Sequence, residues 1–181
     1  MRNELLLGCG SNRDKKLHDP KSPQWEGLIT IDNNPDHNPD VCMDLNQIDL
    51  PFKDDTFDEI HAYEVLEHLG SQGDYKFFFN QFSEFYRLLK PNGRVYCTVP
   101  LPTSVWAFGD PSHTRIIPKE NLIFLYQPSY DEVGKTPISD FRYIYQADFD
   151  IYYLKETEDS LHFVLQAVKP SRVKQHGRTN L

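Results

Sequence analysis

Glu4-Leu5-Leu6-Leu7-Gly8-Cys9-Gly10-Ser11-Asn12 is the stretch whose reading decides the fold. Three consecutive leucines predict a short strand buried on both faces, as in a parallel sheet. The strand runs straight into Gly8-Cys9-Gly10. Glycine is required where the chain turns sharply or where a ligand must touch bare backbone. A buried strand ending in a glycine turn is one half of a nucleotide-type site in an open α/β sheet. An ordinary tight turn after a core strand accounts for the same residues, so the segments that follow must decide.

From Ser11 to Gly27 the chain is polar, carries Pro20 and Pro23, and has no apolar period of helical type. It reads as a loop with at most one helical turn. Leu28–Ile31 is a second strand ending at Asp32, and Val41–Met43 a third ending at Asp44. Phe57–Tyr63 is a fourth, followed by a short helical turn through His68. Asp74 to Leu89 predicts the clearest helix, with Phe78, Phe82, Phe85 and Leu89 forming one apolar stripe. Lys90-Pro91-Asn92-Gly93 ends it in a turn before a fifth strand, Arg94–Pro100. An irregular excursion, Leu101–Pro118, precedes a helical segment from Lys119 to Tyr126 and a loop from Gln127 to Asp140. Phe149–Leu154 and Leu161–Val168 close the chain as a hairpin. The expected architecture is α/β: a mostly parallel sheet with a terminal antiparallel hairpin and the first helix lost or reduced. The sheet face left bare by that loss calls for a cover, either a partner subunit or the Gln127–Asp140 loop.

A length of 181 residues predicts one domain, residues 1–170, with a polar, frayed tail at 171–181. A domain of that size needs no metal or disulfide to fold. Cys9, Cys42 and Cys97 are three, odd in number and far apart, which argues against a disulfide scaffold or a zinc knuckle and fits a reducing, cytoplasmic setting. The apolar run after Met1 is too short for a signal peptide, and no stretch approaches a membrane span. A net charge of −8 disfavours nucleic acid as a partner.

In an open α/β sheet the ligand lies across the carboxyl ends of the strands. Asp32 and Asp44 sit at two such ends, and an acidic side chain there can accept both ribose hydroxyls of a dinucleotide or of S-adenosylmethionine. A pyrophosphate wants a helix N-terminus immediately after the glycines. Here Arg13 replaces the third glycine and a Pro-containing loop follows, so a dinucleotide is disfavoured. A P-loop is excluded because Gly-Lys-Ser/Thr is missing. S-adenosylmethionine carries a sulfonium and no phosphate, so it loses nothing with the helix.

Together the motifs resemble the class I S-adenosylmethionine-dependent methyltransferases, of the methyltransferase type 11 kind. The resemblance rests on Leu7-Gly8-Cys9-Gly10-Ser11, Ile31-Asp32, Met43-Asp44-Leu45, Leu50-Pro51-Phe52 with Phe57-Asp58, Val65-Leu66-Glu67-His68-Leu69, Leu89-Lys90-Pro91-Asn92-Gly93-Arg94 and Phe163-Val164-Leu165, in family order along most of the chain. It implies a Rossmann-like sandwich of seven strands. It also implies Gly8 and Gly10 against the methionine and ribose, Asp32 on the ribose hydroxyls, Asp44 on the adenine amine with Leu45 beside the ring, and Tyr63 and Glu64 bordering the methionine end. Leu6 and Leu7 stand where the family often has an acidic residue before the glycines, with Glu4 further back.

Methyl transfer mainly requires alignment, with a base only where the nucleophile must lose a proton. Asp110-Pro111-Ser112-His113-Thr114-Arg115 resembles a segment of type 11-like enzymes, so His113, Asp110 and Arg115 are the catalytic candidates. His113 as a base or substrate contact stands against His113 as a pin for its own loop. His68 reads as structural, and no histidine spacing suggests a metal. The expected function is methyl transfer to a small-molecule or sugar-type acceptor, with a homodimer as a candidate assembly. A catalytically silent S-adenosylmethionine-binding domain or partner subunit is the alternative.

Overall fold

The structure, a computed structural model, describes residues 2–174. Seven strands form one sheet in the order β3-β2-β1-β4-β5-β7-β6. They are β1 (Glu4–Leu7), β2 (Leu28–Asp32), β3 (Val41–Cys42), β4 (Phe57–Tyr63), β5 (Leu89–Pro100), β6 (Phe149–Glu156) and β7 (Ser160–Ala167). β1 to β5 run parallel, and β7 is antiparallel to both its neighbours, β5 and β6. The carboxyl ends of β1, β2 and β4 therefore meet at one edge, where the order reverses across β1.

One face of the sheet is covered by the helix α1 (Tyr75–Leu88). The Asp74 carboxylate accepts the Phe77 N–H and caps its first turn. Phe79, Phe82, Phe85 and Leu88 are buried, as is Leu89 just past the helix, so the expected stripe holds at Phe82, Phe85 and Leu89, while Phe78 is only half-buried. Each such side chain contributes roughly 1.5–3 kcal/mol by leaving water. Leu89 passes directly into β5 and pairs with Phe57, so Lys90-Pro91-Asn92-Gly93 is an irregularity inside the strand rather than a separate turn. The short helix α2 (Trp106–Gly109) follows β5. Two 3-10 segments, Lys119–Leu125 and Gln127–Glu132, replace the expected helix and part of the expected loop. Phe124 of the first segment lies 5.5 Å from Phe141, which lies 4.8 Å from Phe79 of α1, ring to ring. The Tyr130 hydroxyl of the second segment donates to Phe124 O, which places that segment on the α1 side as well.

The opposite face is covered by the loop between β1 and β2, which forms no helix, as Pro20 and Pro23 dictate. Leu17, Trp25 and Leu28 pack on a small cluster of Leu6, Cys9, Tyr63, Tyr96 and Val164. Lys15 anchors the loop by pointing its ammonium into the sheet, 2.7 Å from Glu4 Oε1 and 2.9 Å from Glu59 Oε2.

Residues 171–174 are tied down rather than frayed. Arg172 Nε donates to Asp148 Oδ2 at 2.6 Å, and Asp148 is fully buried. Residues 175–181, also expected to be frayed, lie outside the described residues. Among the described residues no helix is long and apolar enough to cross a membrane.

Candidate functional site

Leu7 ends β1, and Gly8 turns the chain with φ +57°. A Cβ on Gly8 would lie 2.5 Å from a Val65 methyl, so this turn admits only glycine. The turn brings the Gly10 N–H to Asp32 Oδ2 at 2.8 Å. Asp32 Oδ1 accepts the Asn34 N–H at 2.9 Å, and His37 Nδ1 lies 3.1 Å from the same oxygen. Burial alone would raise the Asp32 carboxyl. The Asn34 and Gly10 N–H groups and His37 more than offset it and hold the carboxyl below its usual range.

β3 leads into Asp44, whose Oδ1 accepts from Asn46 N and Nδ2. Asn46 Oδ1 in turn accepts the Gly70 N–H at 2.9 Å, tying this turn to the loop beyond β4. Glu64, the first residue after β4, takes the left-handed conformation with φ +54°, and its N–H bonds Thr98 O. Gly8, Asp32, Asp44, Leu45 and Glu64 all line one cleft of about 480 Å3. That volume lies within the range of small-molecule sites.

Tyr63 is elsewhere. Its hydroxyl accepts the Leu17 N–H, lies 2.9 Å from Leu17 O and 2.6 Å from His61 Nδ1, and faces the 11–27 loop on the other side of the sheet. Arg115 is buried and donates to Leu66 O and Gln81 Oε1, bracing the 3-10 turn Leu66–His68 against α1. Burial pulls its guanidinium down to about 10. His113 is turned inward, its ring 4.6 Å from that of His68. Its Nε2 lies 3.9 Å from both Glu67 Oε1 and Asp110 Oδ2. Of the three catalytic candidates none lines the cleft, whereas His68 and Ser112 do. Asp110 bonds Ser112 through its Oδ1, and the Ser112 hydroxyl lies 3.0 Å from His68 Nδ1.

His37, Asn46, His68 and Ser112 are among the cleft residues that sequence reasoning missed. His37 sits in a short 3-10 turn, Pro35–His37, and nothing local signals that its ring folds back onto Asp32. His68 carried a signal, since it follows β4 at the ligand-binding edge.

Residues 24–97 match a family model described as a methyltransferase domain. Comparison with curated proteins gives no match. Among solved structures, the chain is similar to a SAM-dependent methyltransferase from Archaeoglobus fulgidus, with 18% identity, 91% of this chain and 86% of that one covered, and a TM-score of 0.58. It is similar to the N-methyltransferase NodS of Bradyrhizobium japonicum WM9, solved with S-adenosyl-L-homocysteine, with 17% identity, coverage of 92% and 78%, and a TM-score of 0.56. It is also similar to a complex of the Trm112 methyltransferase activator and a putative methyltransferase from Haloferax volcanii, with 17% identity, coverage of 92% and 83%, and a TM-score of 0.53.

Proposed function

We propose, from the premise that this chain carries an S-adenosylmethionine-dependent methyltransferase domain of class I fold, that residues 1–170 act as one unit that methylates a small-molecule or sugar-type acceptor. The observation that carries the cofactor site is Asp32. Its carboxylate closes on the Gly10 N–H and opens on the same cleft as Gly8 and Asp44.

The residues present fit the cofactor. The cleft offers carboxylates at the ends of β2 and β3 and bare backbone at the end of β1, and no helix N-terminus follows the glycines. That set suits a diol, an amine and a cation, and lacks the donor cradle a pyrophosphate needs. When bound, S-adenosylmethionine supplies an electrophilic methyl group on a sulfonium. Asp32 Oδ2, which accepts the Gly10 N–H, keeps a lone pair to accept a ribose hydroxyl. Gly8 and Gly10 let the backbone approach. Asp44 accepts from the adenine amine, Leu45 gives the ring an apolar wall, and the Glu64 carboxylate favours the cationic methionine end.

On the acceptor side, His68 and Ser112 face the cleft, and Asp110 orients Ser112. His113 acts through His68 as a positioning residue, and Arg115 holds the turn that carries His68. Support for a small acceptor comes from the net charge of −8, which opposes a polyanion, and from Trp106 and Phe108, exposed on α2 just past the carboxyl end of β5. A catalytically silent S-adenosylmethionine-binding domain or partner subunit is the second reading, favoured by exposed Tyr152 and Tyr153 on the edge strand β6. The test is transfer of labelled methyl from S-adenosylmethionine into fractionated cell extract. Label should enter the small-molecule fraction. Label confined to protein or RNA would refute the acceptor class, and no transfer in any fraction would favour the partner reading.

A further inference from the structure

Behind the cleft, Glu67, His68 and His113 each offer one ligand atom within 4.8 Å of the others. Two histidines and one carboxylate are the donor set of open zinc and iron(II) sites. We propose that these three residues bind a divalent first-row transition-metal ion at the border of the cofactor cleft.

The first observation is the state of Glu67. The residue is 2% exposed, and neither carboxylate oxygen has a hydrogen-bond partner among the described residues. A buried carboxylate without a partner is costly, and a bound cation removes that cost. The nearest fixed cation, Arg115, gives its Nε to Leu66 O and its Nη2 to Gln81 Oε1 instead. His113 Nδ1 is likewise buried and unpartnered among the described residues.

The second observation is the support behind the candidate ligands. Ser112 Oγ lies 3.0 Å from His68 Nδ1 and is itself bonded to Asp110 Oδ1. A carboxylate–hydroxyl chain on one ring nitrogen fixes the tautomer and leaves Nε2 as the metal donor, the usual outer-shell arrangement of a ligating histidine. Thr114 N and Arg115 N both donate to Glu67 O, at 2.8 and 3.2 Å, so the two chain segments that supply the ligands are stitched together.

The distances need a modest closure. Ligand atoms around a tetrahedral ion with bonds near 2.1 Å lie roughly 3.4 Å apart. The three candidate atoms, within 4.8 Å of one another, have to draw together by up to about 1.4 Å. His113 Nε2 and Glu67 Oε1, at 3.9 Å, need about half an ångström of that. His68 lines the cleft, so an open coordination position there would meet an oxygen or sulfur atom of the acceptor. That use rests on the methyltransferase reading; binding of the ion does not.

The test uses tag-free protein dialysed against a chelator and titrated with Co2+. One equivalent should bind and give visible ligand-field absorption, displaced by Zn2+ and not by Mg2+. Near-isosteric Glu67→Gln should weaken Co2+ binding more than tenfold, and His68→Ala and His113→Ala should abolish the absorption. Circular dichroism confirms that each variant folds. His18→Ala and Cys42→Ser, both at exposed positions, should bind Co2+ as the parent does. The proposal is overturned if the parent takes up no stoichiometric Co2+, in which case Glu67 is a neutral acid beside His113. It is equally overturned if Glu67→Gln binds as tightly as the parent, or if Cys42→Ser removes the signal. S-adenosylhomocysteine binding by the metal-free parent separates this outcome from failure of the methyltransferase reading.

Discussion

Lys15 and Glu59 form a buried ion pair across the sheet, Nζ to Oε2 at 2.9 Å, with the Lys15 side chain 3% exposed and that of Glu59 fully buried. The pair takes over the task of the absent helix between β1 and β2. It pins a proline-containing loop to the sheet by charge rather than by an apolar stripe. Glu4 and Arg2 complete the cluster at 2.7 Å from Lys15 and 3.0 Å from Glu59. Removing Lys15 strands two buried carboxylates. Lys15→Met should cost about 3–5 kcal/mol in urea unfolding, and adding Glu59→Gln should recover part of it. A loss below about 1 kcal/mol would show that the loop is held by packing alone.

The same network holds His61. Its ring lies between Glu59 Oε2 at 3.1 Å and the Tyr63 hydroxyl at 2.6 Å, stacked on Tyr96 at 4.7 Å. Burial lowers its pKa to about 4, although Glu59 works against the shift. Below the ordinary histidine pKa of 6.5 the unfolded chain therefore binds a proton that the folded chain refuses. This group's contribution to stability is complete above pH 6.5 and is lost as the pH falls from 6.5 to about 4, by up to roughly 3 kcal/mol. An NMR titration should find the His61 ring neutral at pH 5. A midpoint near 6.5 would contradict the network.

Gly8 allows a sharper steric test. At φ +57°, alanine brings left-handed strain of roughly 1–2 kcal/mol and a methyl 2.5 Å from Val65 Cγ2. Gly8→Ala should lower the melting temperature, and Val65→Ala in the same chain should relieve the clash but not the strain. Full recovery in the double variant would mean that the turn is not held in the left-handed region.

Arg172 secures the end of the chain. Its guanidinium reaches both oxygens of buried Asp148, at 2.6 and 2.9 Å, and Asp150 at 2.6 Å. Arg172 is itself partly exposed, so solvent screens the pair. Truncation after Pro170 should cost about 1–3 kcal/mol relative to truncation after Lys174. Equal stability of the two truncations would refute the anchor.

The strands and α1 were legible because their signals are local: an apolar run, a capping aspartate, a stripe of phenylalanines. Pro20 and Pro23 announced the missing helix for the same reason. Tyr63 shows a signal misread. Strand residues alternate faces, so Tyr63 shares a face with Glu59 and His61 and points toward the loop, away from the cleft. His37 on Asp32 and His113 on Glu67 were not legible, since turn geometry and a contact across 46 positions set them. Their sequence neighbours gave no period to read. Arg172 was hidden inside a polar tail, where only the fold shows that Asp148 needs a partner.

Isothermal titration with S-adenosylhomocysteine and NAD+, on the parent chain and on Asp32→Ala, tests the central claim most directly. The parent should bind S-adenosylhomocysteine one to one and give no heat with NAD+. Asp32→Ala should weaken binding roughly 10- to 100-fold, the loss of a charged acceptor worth about 1.5–3 kcal/mol. Binding of NAD+ in preference to S-adenosylhomocysteine, or an Asp32→Ala variant that binds S-adenosylhomocysteine as tightly as the parent, would contradict the site built here on Gly8, Gly10 and Asp32.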